Sequence, residues 1–225
     1  MTFRGTDVYG ANGHGDGMSD TPPVRTALYE EHLKLDANMV DFHGFELPIW
    51  YSNIKEEHLA TRATAGLFDV SHMGEILIEG EHALGLIQKV SSNDASKLTI
   101  GKAQYSCMPN DDGGIVDDLI IYKIKEETYL LVVNASNVEK DWNWINSKND
   151  VGATIRDLSE DYSLLAIQGP KAIEAMQSIT SHDLSAIKFY NFIVGDFAGI
   201  EYVIISATGY TGSGGFEIYC KNSEV

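Results

Sequence analysis

Apolar residues recur along this chain in two rhythms, one of period two and one near 3.6, which together predict a mixed α and β architecture. Period-two runs predict strands over Glu75–Glu79, Ala103–Met108, Ile115–Tyr122, Tyr129–Asn134, Tyr162–Ile167, Ile193–Phe197 and Ile200–Ser206, with a last one near Phe216–Cys220. Met39–Trp50 carries Val40, Phe42, Phe45 and Leu47 but is broken by Gly44 and Pro48, so it reads as extended chain with a turn. Leu28, His32 and Leu35 share one face of a helix over Arg25–Leu35. Asn53 with Glu56 has capping-box spacing for a helix reaching Ala65 and closed by Gly66, and Ser136 with Glu139 repeats the pattern before Val138, Trp142 and Ile145. Gly80 leads into a helix over Glu81–Val90. Gly169-Pro170 opens another, with Ala172, Ile173, Met176 and Ile179 as its buried stripe.

One strand breaks the polar–apolar pattern. In Gly113–Tyr122, Asp117 and Asp118 stand among β-branched residues, although Asp packs poorly on a pleated surface. Period two places Val116, Asp118, Ile120 and Tyr122 on one face and Ile115, Asp117, Leu119 and Ile121 on the other. One carboxylate therefore points into an apolar setting beside Tyr122. With Tyr129–Asn134, across the turn Lys125–Thr128, the strand forms an antiparallel hairpin. A bland alternative has the two carboxylates blunting an edge strand.

A second irregular stretch is Thr208–Gly215. Its glycines suggest a phosphate loop, but the Gly-Lys-Ser/Thr ending is missing and a strand follows, so that reading is rejected. Tyr210 and Glu217 bracket the loop, which is either a plain tight connection or the wall of a pocket. His72, isolated in Leu67–Glu75, reads as a hydrogen-bonded structural histidine.

Composition narrows the function further. Sixteen basic against 33 acidic residues give a formal charge of −17 in 225 residues, which opposes a nucleic-acid or anionic-membrane surface. Two cysteines, Cys107 and Cys220, without ligand spacing point to a reduced compartment and to no metal site. No apolar run has membrane-spanning length, and the N-terminal residues lack the apolar core of a secretory signal, so a cytoplasmic protein is expected. Glycine-rich residues 1–24 read as a flexible leader, or in part as sequence upstream of a start at Met18.

Seven blocks, in order, resemble the aminomethyltransferase (T-protein) family of the glycine cleavage system. They are Met39–Phe42 with Glu46–Pro48, Gly66–Gly74, Gly101–Ser106, Gly113–Tyr122, Val133–Asn137, Gln168–Pro170 and Thr208–Gly212. The resemblance implies an α+β fold of mixed helices and mainly antiparallel sheets, with a discontinuous first domain (25–73 and 161–225) and an inserted second one (74–160). It implies an enzyme that takes the aminomethyl group from a lipoylated carrier protein, forms 5,10-methylenetetrahydrofolate from tetrahydrofolate and releases ammonia. By motif position Asp118 is the catalytic carboxylate and Glu217 the partner of the pterin ring; Tyr105, Tyr122, Asn134 and Tyr210 line the folate pocket. Ala207 and Ser213 depart from the basic and acidic residues common in the family. The family's C-terminal portion is absent, so a truncated chain is expected, its last strand an unpaired edge. Rival readings are another folate-dependent one-carbon transferase or demethylase of this fold, and a non-catalytic folate-binding assembly factor.

Overall fold

The computed structural model describes residues 22–225. The expected leader lies outside the described residues except for 22–24, where Val24 already belongs to a strand. The chain begins with a small sheet of β1 (Val24–Arg25), β2 (Asn38–Phe42) and β3 (Phe45–Trp50), ordered β1-β3-β2. Val24 and Arg25 pair with Phe45 and Glu46, so the first helix, α1 (Tyr29–Lys34), is shorter than its apolar spacing predicts. The β2–β3 turn sits on His43 and Gly44, both at positive φ. Because β1 reaches only Phe45 and Glu46, Pro48 lies where β3 has become an edge, a place a strand proline tolerates.

Helix α2 (Ile54–Ala63) is capped as its sequence predicts: Asn53 Oδ1 accepts the Glu56 amide at 2.9 Å. The reciprocal arm falls to Glu57 instead, whose carboxylate accepts the amides of Tyr51 and Ser52 at 2.6 and 2.7 Å. Gly66 is not the helix stop. It opens β4 (Gly66–Asp69), where a Cβ would come within 2.4 Å of Thr61 Oγ1.

Two five-stranded antiparallel sheets follow. The first contains β5 (Gly74–Glu79), β6 (Ala103–Pro109), β7 (Ile115–Lys125), β8 (Thr128–Val133) and β9 (Thr154–Asp157), ordered β6-β7-β8-β5-β9. The second contains β4, β10 (Tyr162–Gln168), β11 (Phe192–Phe197), β12 (Ile200–Ser206) and β13 (Gly215–Lys221), ordered β11-β12-β13-β10-β4. Helices α3 (Ala83–Val90) and α4 (Val138–Ser147) cover the outer face of the first sheet, where Leu86, Ile87 and Ile145 pack on Ile76, Leu119, Ile121 and Leu131. From the inner faces, Tyr122, Leu130 and Val132 meet Leu164, Phe192, Ile204 and Tyr219 in a core shared by both sheets. Burial of this apolar surface is the main favourable term holding the sheets together. The expected division into a discontinuous domain and an inserted one remains a proposal, since neither sheet closes a core of its own on this side.

Three further expectations are corrected. The last strand, β13, lies between β12 and β10 rather than at an edge, and Phe216–Cys220 are all buried. Both neighbours are needed to cover a segment with no solvent-facing position. Helix α4 starts at Val138 after a 3₁₀ turn over Ala135–Asn137, so Ser136 is not its cap. The helix α5 (Ala172–Met176) buries Ala172 and Met176, but Ile173 and Ile179 are 38% and 46% exposed because five residues do not sustain a continuous stripe.

Candidate active site

Strand β7 as a whole lies inside the first sheet, with β6 and β8 on either side, but Asp117 and Asp118 stand beyond the end of its pairing with β8. Asp118 pairs with Cys107 of β6, but pairing to β8 begins only at Leu119 opposite Val133. The carboxylates therefore stand where β8 ends, and the next residue, Asn134, turns its side chain onto them. Its Nδ2 donates to Asp118 Oδ1 at 2.6 Å and to Asp117 Oδ1 at 2.9 Å. From β6, the Tyr105 hydroxyl donates to Asp118 Oδ2 at 2.6 Å. Asp118 is thus held at both oxygens, and no cation pairs with it among the described residues. The hydrogen bond to Asp118, aided by burial and that negative charge, pushes the Tyr105 phenol up to about 12.

Asp117 faces the helices, as the strand period predicts. Its Oδ2 accepts from Asn137 Nδ2 at 3.0 Å, and its Oδ1 also accepts the Asp118 amide at 2.9 Å. Burial disfavours its charge, but hydrogen bonds from Asp141, Asn137, Asn134 and the Asp118 amide outweigh that and hold its carboxyl below the usual range. The two carboxylates occupy opposite faces but share Asn134.

A second polar cluster lies farther along the same face of β7. Tyr122 is entirely buried, and its hydroxyl meets Tyr219 Oη at 3.1 Å, Thr208 Oγ1 at 3.2 Å and Ser206 Oγ at 3.3 Å. Thr208 in turn donates a short hydrogen bond to Glu217 Oε2. Glu217, on β13, is 8% exposed. Burial raises its pKa above the ordinary carboxylate value, partly countered by Thr208. Its Oε1 has no protein hydrogen bond among the described residues. Gln168 pins the loop above, donating to the carbonyls of Thr208 and Phe216 at 3.1 and 3.0 Å and accepting from Thr211 at 2.9 Å. Gly209, at φ +138°, sits against that amide, where a Cβ would come within 2.3 Å of Gln168 Oε1.

Of the residues predicted from sequence, Tyr105, Asn134 and Asp118 form one contact network. Glu217 and Tyr122 belong to the second, joined through Thr208. Tyr122 presents no surface to a ligand and supports the Glu217 side from behind, which corrects its expected pocket-lining place; a tyrosine between two sheets is core. Tyr210 is 95% exposed in the loop after Thr208 and has no hydrogen-bond partner there among the described residues. His72 also differs from expectation: its Nδ1 is buried without a hydrogen bond, and its ring lies edge-on to Phe42 and Phe45. Burial pushes the imidazole pKa down. The hydrogen-bonded structural histidine is His32, bridging Asp69 and Tyr51 at 2.8 Å each.

Sequence reasoning missed Asn137, Asp141, Ser206, Thr208 and Tyr219. Only Asp141 left a signal, as an acidic residue between Val138 and Ile145 at core-facing helical spacing. Among the described residues no cluster of three or more His, Cys, Asp or Glu side chains is arranged to hold a metal, and no helix is long and apolar enough to cross a membrane.

Two antiparallel sheets sharing a core, with a clamped carboxylate at the end of one hairpin, define an α+β protein with a solvent-facing acidic site. Residues 28–225 match the GCVT N-terminal domain family, and the chain belongs to it. It is 63% identical over 199 residues to an aminomethyltransferase of Flavobacterium psychrophilum, covering 88% of this chain and 55% of that relative. It is 55% identical over 194 residues to an aminomethyltransferase of Bacteroides fragilis, covering 86% and 54%. The crystal structure of glycine cleavage system aminomethyltransferase T from Bartonella henselae superposes with a TM-score of 0.81 at 33% identity, over 89% of this chain and 54% of that one. A heterotetrameric sarcosine oxidase from Corynebacterium sp. U-96 shares the fold at a TM-score of 0.55 and 15% identity, covering 75% and 83%. The chain spans about half the length of the curated relatives it matches.

Proposed function

We propose that this chain carries the catalytic carboxylate of a tetrahydrofolate-dependent aminomethyltransferase of glycine cleavage. In this reading Asp118 acts on an aminomethyl group delivered by a lipoylated carrier protein, with tetrahydrofolate as acceptor and no metal. Ammonia, the dihydrolipoyl carrier and 5,10-methylenetetrahydrofolate are the products, in a cytoplasmic setting. The observation that carries it is the Asp118 clamp, which has both oxygens fixed at 2.6 Å and no neutralising cation among the described residues. Two neutral donors, the Tyr105 phenol and the Asn134 amide, fix the direction of this carboxylate at a solvent-facing position with no cation beside it among the described residues.

The chemistry follows from that charge. As the carrier thiolate leaves, the aminomethyl group acquires positive charge, and a fixed anion beside it lowers the barrier without reorganising. Tyr105 and Asn134 hold the carboxylate so that it also orients the amines that attack. Glu217 supplies the recognition end. One of its oxygens is engaged by Thr208, leaving Oε1 and the remaining lone pair of Oε2 to accept two adjacent N–H donors such as a pterin edge presents. The Thr208–Tyr122–Tyr219 hydroxyls keep that carboxylate in place without contributing a competing cation.

Binding tests the Glu217 assignment. Glu217→Gln keeps the shape but exchanges a charged acceptor for a neutral one, so tetrahydrofolate affinity measured by calorimetry falls by roughly 1–2 kcal/mol. Turnover at saturating folate changes less than affinity does. Unchanged affinity places the pterin elsewhere.

A further inference from the structure

Helix α4 carries a buried acid for which the proposed chemistry has no use. Asp141 is 0% exposed, and neither carboxyl oxygen receives a hydrogen bond from a protein donor. A carboxylate in that position would be a buried charge without compensation, which proteins avoid by keeping the proton. Its one hydrogen-bonding neighbour is Asp117, an acceptor. Contact between two carboxyls requires a single shared proton, and Asp117 already accepts from Asn134, Asn137 and the Asp118 amide. The proton therefore stays on Asp141, which donates.

We propose that Asp141 is a positioning residue for the reaction: its carboxyl donates to Asp117 and so, through the shared Asn134 amide, fixes the direction of the Asp118 carboxylate. This rests on the proposed function for its catalytic consequence but not for the coupling itself. Asp141 faces Asp117 from the helix side, and from there two hydrogen bonds lead on, from Asn134 Nδ2 to Asp117 Oδ1 at 2.9 Å and from the same nitrogen to Asp118 Oδ1 at 2.6 Å. Anchoring Asp117 from the helix side lets Asn134 divide its two N–H groups between the carboxylates. Without the donor, Asp117 keeps its bonds from Asn137 and the Asp118 amide but loses the hold from Asp141, which loosens the position from which it shares Asn134 with Asp118.

The electrostatics agree with the geometry. Burial, then the hydrogen bond and charge of Asp117, push the Asp141 carboxyl up to about 8. The charged groups that bear on it among the described residues are Asp117 and Asp118 from β7, which oppose its ionisation, and Lys140 beside it on α4, which favours it. Lys140 Nζ is turned to the Val116 carbonyl at 2.6 Å. Ionisation would set two carboxylates against each other, Asp141 fully buried and Asp117 partly so, and push Asp117 away from the helix.

Carboxyl ¹³C NMR on aspartate-labelled protein tests the coupling directly, with Asp118 assigned from Asp118→Asn. One aspartate should titrate near pH 8 and vanish in Asp141→Asn, and the Asp118 resonance should move with that titration. In the carrier-dependent assay, wild-type turnover should fall as pH rises through this range, while Asp141→Asn, which keeps a neutral donor, holds level. Asp141→Leu, with no donor, should lower kcat about tenfold with KM for tetrahydrofolate within about twofold, the signature of a loss felt in the transition state. An Asp118 resonance indifferent to the alkaline titration overturns the inference, as does a folded Asp141→Leu protein with wild-type kcat. Should Asp141→Leu fail to fold, the Asp141→Asn profile and the Asp118 resonance decide. If the wild type lacks transferase activity the proposed function fails, and the resonance alone then upholds or overturns the coupling.

Discussion

Asp118→Asn is the most informative single change. The variant keeps volume and planarity and loses one charge. In the wild type both oxygens accept at 2.6 Å, one from the Tyr105 phenol and one from the Asn134 amide. The new side chain can accept from Asn134 and turn its NH₂ towards Tyr105, whose hydroxyl oxygen accepts as well as donates. The fold therefore survives, with charge-assisted bonds replaced by neutral ones at a cost of about 1–2 kcal/mol, or a melting temperature lower by roughly 2–8 °C in a chain of this size. Turnover falls much further, by roughly 10²–10⁴, equivalent to about 3–5 kcal/mol of lost transition-state stabilisation. Asp117→Asn would be an inert control if strand faces were independent. Here the shared Asn134 makes it a coupled site, so its turnover drops about tenfold and the double variant is no worse than Asp118→Asn alone. The assay is methylenetetrahydrofolate formation from a carrier loaded with the aminomethyl group, with thermal melts alongside. A near-normal Asp118→Asn protein would refute the mechanism. Equal losses at both positions, with matching falls in melting temperature, would make the pair structural.

Two further outcomes follow from buried groups. Gly209→Ala forces a Cβ against the Gln168 amide at a φ of +138°, so stability falls by about 1–3 kcal/mol and tetrahydrofolate affinity drops with it as Thr208 shifts from Glu217. A melt and a titration calorimetry run check both, and a variant with wild-type melting would show that the loop adapts. Glu75, 1% exposed with both carboxyl oxygens unpartnered, has its pKa raised well above the usual value by burial and then by Asp157. The native state therefore keeps a proton that the unfolded chain releases, and stability declines as pH rises above the unfolded value of 4.5, by up to about 1.4 kcal/mol per unit until the folded pKa is reached. Glu75→Gln removes this slope, so its stability relative to wild type increases from pH 4 to neutrality in denaturant titrations; parallel pH profiles would show that Glu75 is charged in the fold.

Much of the local structure was determined by the sequence alone. Period-two runs gave the hairpin of β7 and β8 and the β11–β12 hairpin, and capping-box spacing gave the Asn53 cap, because each depends on residues close together along the chain. The same period separated Asp117 and Asp118 onto opposite faces, which their partners Asn137 and Tyr105 show. Tertiary structure alone decided which strands are interior. β13 reads as a chain-terminal strand, yet it inserts between β12 and β10, since pairing order depends on how two sheets close a common core and not on order along the chain. It also decided that Asn134 serves both carboxylates, that Tyr122 is core, and that Tyr210 is exposed. Long-range contacts such as Tyr122–Thr208 and Asp141–Asp117 leave no periodic trace, because a hydrogen bond between distant elements depends on distance in space, and sequence spacing records only distance along the chain.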